Sequence, residues 1–404
     1  MAAPLPTPRP LVQSLTPDAI AVRRDLHRHA ELSTEEHRTQ RVILEWLQRE
    51  CLDEVRPMNK TGVTALVRGA RPGPTLLWRA DIDALPLDEE TGLAFASDNG
   101  AMHACGHDGH TAIALALATA LQRTRERLNG AVRFAFQPAE ERVGGAVGMI
   151  DEGIMDGVDR VYGLHIWASN PLGDVLVTPG PIFAAATHFR IIIRGRGGHA
   201  ASPHETIDPV VVAAHVIVAL QTVVSRAVSP DETAVLTVGR LEAGKRGNII
   251  PDEAMMSGTI RTYEQHVLDR VLKRADEIIR GVTSAWRADY QFDHSTLPAC
   301  VNDPEAAARV AAVAGAMFGP ERVHQARVTG ADDMAYFLER APGVYFLLGA
   351  APRHVDRVYP HHHARFDFDE ACIPLGAELA LRIIESETSS DLSDQPTRRN
   401  APQA

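Results

Sequence analysis

Apolar residues recur along the chain with two different spacings. Four apolar runs have the length of buried strands, and they lie at residues 75–83, 131–136, 160–167 and 343–349. Apolar positions with helical spacing predict helices at residues 17–50, 111–121, 303–318 and 370–387. Strands and helices in this alternation predict an α/β fold, in which a mostly parallel mixed sheet is flanked by helices.

Residues 17–50 are expected to hold two helices with a break at residues 30–34. Thr34 has a side chain that is typical of a helix N-cap, so the second helix is predicted over residues 34–50. His37 stands three residues later, where a capping box has Glu or Gln, so this cap is a weak one.

A different pattern begins at Ala184. Its strands are predicted at residues 188–194, 233–241 and 255–263, and its helices at residues 208–225 and 263–288. This order is typical of a compact α+β domain with antiparallel strands, and we expect a ferredoxin-like fold for it.

The chain of 404 residues is longer than one hydrophobic core comfortably fills, so two domains are expected. We expect a catalytic domain of residues 15–184 and 297–387, interrupted by an inserted domain of residues 185–296. The proline-rich residues 1–14 are predicted to form a mobile leader, and the polar residues 388–404 a disordered tail.

Composition and charge exclude several kinds of partner. The formal net charge of −11 speaks against nucleic acid, because phosphate binding draws its affinity from basic surface. No apolar run is expected to span a membrane, and the N-terminus shows neither a secretory nor a twin-arginine signal. Cys51, Cys105, Cys300 and Cys372 have no paired spacing, which is typical of a reducing compartment. We therefore expect a cytoplasmic protein that binds neither nucleic acid nor membrane.

The chemically densest stretch, residues 101–110, holds three histidines, a cysteine and an aspartate. A Cys thiolate beside imidazoles suits zinc, manganese and related divalent ions. The glycines of this stretch allow a tight turn, so that Cys105 and His107 can both face inward. An apolar helix follows directly, so the sequence predicts a metal site at a junction between a loop and a buried helix.

Carboxylates stand at the ends of two predicted strands, where ligands collect in α/β proteins. For Asp81, two interpretations stay open: a cap of the turn, or a partner that orients a metal-binding histidine. Glu140 and Glu141 lie between Gln-Pro and Gly-Gly, and in such a pair one carboxylate can bind metal while the other moves a proton. A bare Glu-Glu pair is more often solvated surface. His165 lies inside an apolar strand, where a lone histidine is more often a core residue than a ligand.

Eight short motifs occur in order along the chain. They are residues 24–27 (RDLH) with Glu31, 79–86 (RADIDALP), 102–108 (MHACGHD), 136–141 (FQPAEE), 195–200 (GRGGHA), 247–251 (GNIIP), 258–261 (GTIR) and 362–366 (HHARF). As a set, over residues 20–387, they resemble the dinuclear-metal aminoacylase and carboxypeptidase family. The resemblance extends to its branch of hippurate hydrolase and indole-acetyl-amino-acid hydrolases.

The resemblance implies two divalent metal ions per subunit, with Cys105 as a bridge between them. His107 and His165 would complete one metal site, and Glu141 and His362 the other. Among the three consecutive histidines His362 is preferred because the family ligand lies four residues before a Phe, although its two neighbours remain alternatives. The metals would be zinc or manganese, with cobalt or nickel as alternatives.

The resemblance also implies roles in catalysis. Glu140 would be the general base that takes a proton from a metal-activated water. The inserted domain would be a lid and dimerisation domain, and His199 would reach the site of the partner subunit to stabilise the oxyanion. Asn248 and Arg261 would hold the carboxylate of the substrate, although an Arg on a strand more often forms a surface ion pair. A homodimer or homotetramer follows from the role of His199.

The sequence thus predicts a metal-dependent amidohydrolase that cleaves the amide bond of N-acyl-L-amino acids of the hippurate type. The alternative is a metallo-carboxypeptidase or dipeptidase that acts on short peptides with the same site. A binding module with a vestigial site is disfavoured, because a mere metal binder needs no free base beside Glu141. A closed structural zinc site is disfavoured by the absence of paired cysteines.

Overall fold

The computed structural model describes residues 5–352 and 357–389. These residues form two compact units. Unit 1 takes its residues from Met1–Ile182, Val301–Ala326 and Asp333–Ala404, and unit 2 from Phe183–Cys300 and Arg327–Asp332. In sequence, unit 2 therefore interrupts unit 1.

Helices and strands alternate through most of the described chain. The helices are α1 (Pro10–Arg28), α2 (His37–Arg49), α3 (His107–Arg123), α4 (Gly145–Asp151), α5 (Pro209–Thr222), α6 (Gln265–Ala285), α7 (Pro304–Phe318), α8 (Met334–Leu338) and α9 (Cys372–Glu387). The strands are β1 (Asp53–Met58), β2 (Gly62–Arg68), β3 (Arg71–Asp81), β4 (Asn129–Gln137), β5 (Arg160–Trp167), β6 (Val175–Leu176), β7 (Gly180–Phe183), β8 (Ala185–Arg194), β9 (Gly198–His199), β10 (Ala234–Ala243), β11 (Ile249–Ile250), β12 (Glu253–Thr262), β13 (Asp289–Leu297), β14 (Cys300–Asn302), β15 (Val323–His324) and β16 (Gly343–Gly349).

Unit 1 is built on a mixed sheet with the strand order β1-β2-β4-β3-β5-β16-β6-β15. The four central strands, β4, β3, β5 and β16, are parallel, and antiparallel pairs lie on both sides of them. All four predicted apolar runs form these central strands, because a parallel strand is covered on both faces and needs apolar residues throughout. Their carboxyl ends meet at one edge of the sheet, and β3 and β4 end there at Asp81 and Gln137.

Helix α3 lies at the centre of unit 1 and packs against α1, α9 and β3. Its residues from His107 to Leu121 are all buried, as expected for a helix that is apolar on every face. The residue before it, Gly106, has a φ of 86°, a left-handed conformation that glycine adopts without steric cost. The buried helix therefore holds the loop before it in a fixed position.

The first two helices begin at other residues than the sequence suggests. Helix α1 starts at Pro10, within the expected leader of residues 1–14, because proline suits the first turn of a helix. Helix α2 starts at His37 rather than Thr34. Thr34 has a φ of 72°, and the carboxylate of Glu31 accepts the N–H groups of the first turn instead. Residues 1–4, and the expected tail from residue 390 on, lie outside the described residues.

Unit 2 contains an antiparallel sheet with the strand order β10-β12-β8-β13. In chain order its main elements are β8, α5, β10, β12, α6 and β13, which is the βαββαβ order of a ferredoxin-like fold. Helices α5 and α6 pack against each other and against β12, and apolar residues from these elements form a separate core. The fold class expected from the sequence is thus observed in both units.

Helix α5 differs from the expectation that no apolar run could span a membrane. Together with the turn that follows it, the helix Pro209–Ala227 has 19 residues and is long and apolar enough to cross a bilayer by length and composition. One of its faces packs in the core of unit 2, and the other exposes Val210, Val211 and Val218. Its place in an α+β layer is typical of a helix in a globular unit.

Candidate metal and catalytic site

Two groups of potential metal donors share one cysteine at the start of α3. Cys105, His107 and His165 form the first group, and the ligand atoms within it all lie within 4.8 Å of one another. The Sγ of Cys105 is 3.4 Å from the Nε2 of His165. Cys105 also belongs to a second group with Glu141 and His362, which satisfies the same distance. The five residues expected to hold two metal ions are thus close together in unit 1.

The three consecutive histidines have different surroundings. His362 has a φ of 64°, and its Nε2 lies 3.3 Å from the Oε1 of Glu141. The Nε2 of His361 is instead 3.0 Å from the backbone carbonyl of Ile166. His363 stacks on Tyr359. Within the described residues, His362 is the member of the three that lies in a donor group.

The donor atoms fit a divalent ion because one of them is buried without a partner. The Nε2 of His107 has no hydrogen-bond partner among the described residues, although water does not reach it, and the buried Oε1 of Glu141 lies 3.3 Å from the Nε2 of His362. Buried polar atoms in proteins are normally hydrogen-bonded, so unpaired ones need another partner. A cysteine, imidazoles and a carboxylate are together a donor set for zinc and related divalent ions.

Burial and neighbouring groups shift the pKa values of the donors. Burial holds the pKa of His165 well below its usual value, so this ring is neutral at neutral pH. Hydrogen bonds to Cys105 and Glu141 raise the pKa of His362 to about 10. Burial also raises the pKa of the Cys105 thiol. Metal ions bind deprotonated Cys and His, so an ion that binds here must displace protons from both residues.

Asp83, at the end of the run predicted as a strand over residues 75–83, holds two of the donors. Its backbone carbonyl accepts the Nδ1–H of His107 at 2.9 Å, which leaves the Nε2 of this ring to face the donor group. Its Oδ2 accepts the backbone N–H of Glu141 at 3.1 Å and the hydroxyl of Ser33 at 2.6 Å. Asp83 therefore connects one donor of each group.

Asp81 contacts two histidines of α3. Its Oδ2 lies 3.6 Å from the Nε2 of His107, and its Oδ1 lies 2.6 Å from the Nδ1 of His110. The Nε2 of His110 accepts the backbone N–H of Ile166, the neighbour of His165. The guanidinium of Arg79 donates to the Oδ2 of Asp81 at 2.6 Å. Asp81 therefore lies beside the donors, while Asp83 accepts the Nδ1–H of His107.

Glu140 and Glu141 lie in the turn that follows β4. Pro138 ends the strand because proline cannot donate a hydrogen bond to the sheet. Glu140 is 9% exposed, and one of its carboxylate oxygens is within 4.8 Å of the donor atoms of His107 and Glu141. The turn therefore presents one carboxylate in a donor group and a second beside it.

The remaining expected site residues lie in unit 2. His199 and Asn248 are exposed neighbours, because β9 pairs with β11 and the N–H of Ala200 donates to the carbonyl of Asn248. Arg261 lies on β12 and is partly buried. Burial lowers the pKa of Arg261, and the residue forms no ion pair with any described residue. The structure therefore groups His199 with Asn248 within unit 2.

A buried charged cluster behind the metal loop could not be read from the motifs. Arg23 is 1% exposed, and its Nε donates to the Oδ2 of Asp108 at 2.8 Å. The Nδ1 of His27 lies at the same distance from this oxygen. Arg23 occupies the apolar stripe of α1 with Ala19 and Leu26, and a cation in such a stripe was the available signal.

Comparisons with known proteins agree with this architecture. The sequence model of peptidase family M20/M25/M40 matches residues 77–386. An N-acyl-L-amino acid amidohydrolase of Geobacillus stearothermophilus is 44% identical over 284 residues, which are 70% of this chain and 77% of the relative. Thermostable carboxypeptidase 1 of Saccharolobus solfataricus is 37% identical over 364 residues, 89% of this chain and 92% of the relative. A solved Bacillus subtilis structure, a dinuclear metal binding peptidase of the M20 family, has a TM-score of 0.82 and 33% identity over 93% of this chain and 99% of its own.

The fold and the two donor groups define the class of a metal-dependent hydrolase. The family match covers most of the chain, and the relatives exceed 30% identity over most of their own length. The chain belongs to peptidase family M20/M25/M40, and its relatives include an amidohydrolase and a carboxypeptidase. The expected fold class, family and enzyme class are confirmed.

Proposed function

We propose that this enzyme cleaves the amide bond of N-acyl-L-amino acids of the hippurate type. One observation carries the proposal: Glu140 lies beside two donor groups that share Cys105. A base next to paired metal donors is the arrangement that hydrolysis of an amide requires, because water is a weak nucleophile and an amide a poor electrophile.

The five donors would hold two divalent ions, one at the group of Cys105, His107 and His165 and one at the group of Cys105, Glu141 and His362. Such ions polarise an amide carbonyl and lower the pKa of water to about 7. Zinc or manganese is proposed, with cobalt or nickel as alternatives, because each accepts this mixed donor set.

Glu140 is proposed to act as the general base. Its carboxylate would take a proton from the attacking water and deliver it to the departing amide nitrogen, so that a free amino acid and a carboxylic acid are released. His165 stays neutral through burial and thus keeps a lone pair for a metal at neutral pH. Asp83 fixes His107 and the backbone of Glu141, so both donors keep their positions during turnover.

Arg261 and Asn248 are proposed to bind the carboxylate of the substrate. Arg261 is partly buried and forms no ion pair with a described residue, which favours a ligand role over a surface ion pair. His199, beside Asn248, is proposed to stabilise the oxyanion in the site of a partner subunit. The unit that carries these three residues is accordingly proposed to be a lid and dimerisation domain.

A homodimer or homotetramer is proposed, because His199 would act in the site of a partner subunit. The exposed face of α5 also supports it. Helix α5 exposes Val218 to 71% and two further valines on the same unit, and an apolar face of this kind is costly in water. A second copy of the chain that covers this face would remove the cost. The cytoplasm is the proposed location, because all four cysteines are free.

Carboxypeptidase or dipeptidase activity on short peptides is the second candidate. It is favoured by the 37% identity to thermostable carboxypeptidase 1. Both activities would use the same base and donors, and they differ in what the substrate carries on its N-terminal side. A requirement for a free α-amino group would identify a dipeptidase.

The proposal is tested with metal-stripped protein to which zinc or manganese is returned. Hippurate, other N-acyl amino acids and dipeptides are offered to wild type and to the Glu140→Gln variant, which keeps the size of the side chain but removes the base. We expect metal-dependent release of amino acid in the wild type, and a loss of about 10²–10⁴-fold in kcat in the variant with both ions still bound. A wild type that binds two ions and cleaves no substrate of the panel would refute the proposed function. Unchanged kcat in the variant would refute the role of Glu140.

A further inference from the structure

The turn that carries Glu140 and Glu141 has an unusual backbone. Ala139 has a φ of 51° and Val143 a φ of 53°, left-handed conformations that non-glycine residues rarely adopt. A residue in this conformation is strained and persists only where its surroundings hold it. The surroundings of this turn must therefore supply contacts that fix it.

Glu36 supplies one of these contacts. Its side chain is fully buried, and its Oε1 accepts the backbone N–H of Ala139 at 2.8 Å. Its Oε2 accepts the hydroxyl of Thr61 at 2.6 Å. Thr61 is also buried, and it lies in the turn between β1 and β2. The carboxylate of Glu36 thus connects the start of α2 with two turns of the sheet.

Glu36 stands at the N-terminus of α2, but its carboxylate bonds to Ala139 and does not cap the helix. Glu36 is the N-cap residue of α2, but its side chain makes no capping hydrogen bond. The carboxylate of Glu31 accepts the N–H groups of Arg38 and Thr39 in its place. Glu36 is therefore available to the turn that carries Glu140.

A second carboxylate holds the same turn two residues further on. The N–H of Glu141 donates to Asp83, while the N–H of Ala139 donates to Glu36. Glu140 lies between these two anchored peptide groups, so the direction of its side chain depends on both of them. Hydrogen bonds from a backbone N–H to a carboxylate are about twice as strong as neutral ones, which suits them to hold a strained turn.

Burial of the Glu36 carboxylate lowers the stability of the folded protein, and the bond to Thr61 alone does not account for its presence. Glu36 forms no ion pair with a described residue, and the like charge of Asp83 contributes to raising its pKa. Burial raises the pKa of Glu36, and the hydrogen bonds from Thr61 and Ala139 only partly oppose this. A buried carboxylate without a cation is retained at a cost in stability, which is expected where its hydrogen bonds serve the site.

We propose that Glu36 is a positioning residue, whose carboxylate holds the N–H of Ala139 and so fixes both the general base Glu140 and the metal donor Glu141. The inference rests on the proposed function for the role of Glu140. For Glu141 it predicts an effect on metal binding that does not depend on any substrate. Glu36 touches neither substrate nor metal in this proposal.

The test compares three variants of the full-length protein. Glu36→Ala removes the acceptor, and Glu36→Gln keeps an acceptor oxygen but removes the charge. The matched control is Glu378→Ala, because Glu378 is equally buried but accepts hydrogen bonds from Arg9 and Arg382 instead. For each variant we measure kcat, KM, binding of Mn²⁺ alone, and hydrogen exchange of residues 137–143 in metal-free protein.

We expect Glu36→Ala to lower kcat by about 10–100-fold, with KM within about threefold of wild type. The affinity for the Mn²⁺ ion at the donor group of Glu141 should fall by a similar factor, about 10–100-fold. Exchange of the Ala139 and Glu141 amides should become faster. Glu36→Gln should recover kcat and Mn²⁺ affinity to within about fivefold of wild type, because it restores the acceptor. Glu378→Ala should change stability without changing the turn.

Three results would overturn the proposal. Glu36→Ala could leave kcat, Mn²⁺ affinity and exchange as in the wild type. Glu36→Gln could lose as much as Glu36→Ala, which would make the charge and not the acceptor responsible. Glu378→Ala could produce the same losses, which would indicate general destabilisation. If the wild type cleaves nothing in the panel, the proposed function fails, while Mn²⁺ binding and exchange still decide the role of Glu36.

Discussion

Two clusters of histidines and carboxylates flank the start of α3, and one of them contains a buried arginine. The carboxylate of Asp108 is paired with the guanidinium of Arg23 at 2.8 Å and with His27 at the same distance. The donor groups around Cys105 hold no Arg or Lys in an ion pair, as far as the described residues extend. The two clusters thus contain similar residues but differ in their balance of charge.

The difference teaches that the density of titratable residues does not define a metal site. Burial disfavours the charge of Asp108, but Arg23 and His27 outweigh it and hold the pKa of this carboxyl well below its usual range. Around Cys105 the Nε2 of His107 is buried without a hydrogen-bond partner, and Glu141 faces His362, a histidine that can give up its proton. The cluster whose cation is a histidine and not an arginine is the one in which a metal ion can take the place of that proton.

The largest effect is expected from the residue that both donor groups share. Cys105→Ser replaces a thiolate by a hydroxyl that stays protonated at neutral pH, so bridging of two ions is lost. We expect a loss of about 10⁴-fold in kcat, since the metals supply several kcal/mol of transition-state stabilisation. Elemental analysis should find fewer than two ions per chain, where the wild type is expected to hold two.

The matched control for this thiol is Cys51→Ser, because Cys51 is free and exposed. Its metal content and kcat should equal those of the wild type. If Cys105→Ser retained two ions and its activity, Cys105 would not be a donor that both metal ions need. The comparison of the two clusters would then have to be abandoned.

The paired cluster should respond through stability. Asp108→Ala leaves the guanidinium of Arg23 buried with weaker partners, and breaking a buried pair costs about 3–5 kcal/mol. The midpoint of urea unfolding of metal-free protein should fall accordingly. Asp25→Ala is the control on α1, the helix that carries Arg23, because the partly exposed pair of Asp25 with Arg38 should cost under about 1 kcal/mol. Equal losses in the two variants would contradict the claim that Asp108 and Arg23 form a structural pair.

The sequence indicated a metal site where candidate donors lie close together along the chain, as Cys105 and His107 do at two residues apart. Spacing did not decide the other donors, because Glu141, His165 and His362 were assigned only by the resemblance of the motifs to the family. The large sheet followed from apolar runs, and the βαββαβ order of unit 2 from its alternation of patterns. Local patterns were sufficient wherever the residues that act together are also close in sequence.

The supporting residues could not be predicted in this way. Glu36 and Ala139 are 103 residues apart, and Arg23 and Asp108 are 85 apart. Each pair meets only when α1 and α2 have packed on the sheet, so neither has a local signature. The start of α2 differed for the same reason, because its cap comes from the carboxylate of Glu31 and not from Thr34. Thr34 has the right side chain for a cap, but not the right backbone conformation.

The smallest expected effect is a difference in how the stability contributions of two buried carboxylates depend on pH. Glu36 and Asp108 are both buried carboxylates, but burial raises the pKa of Glu36 while the neighbouring cations lower that of Asp108. A native state with a raised pKa binds its proton more tightly than the unfolded chain does. Stability from this group is therefore present at low pH and lost as pH rises above the unfolded value of about 4.3. For Asp108 the sign is opposite, and stability is lost as pH falls.

We therefore expect Glu36→Gln to gain stability relative to the wild type as pH rises from 4 to 8, because the amide has no charge to bury. Asp108→Asn should be less stable than the wild type by a constant amount above about pH 5, and this difference should shrink as pH falls below about 4. Native Asp108 stays ionised beside Arg23, while the unfolded carboxylate takes up a proton near its ordinary pKa of about 3.9. Urea midpoints of the metal-free proteins at several pH values measure both differences. If both stability differences change with pH in the same direction, the pairing of Asp108 with Arg23 does not cause the two carboxylates to differ in pKa. If the two stability differences instead change with pH in opposite directions, burial of the Glu36 carboxylate lowers the stability of the native protein at neutral pH. Its hydrogen bond to the turn of Glu140 then explains why a carboxylate is present at this position.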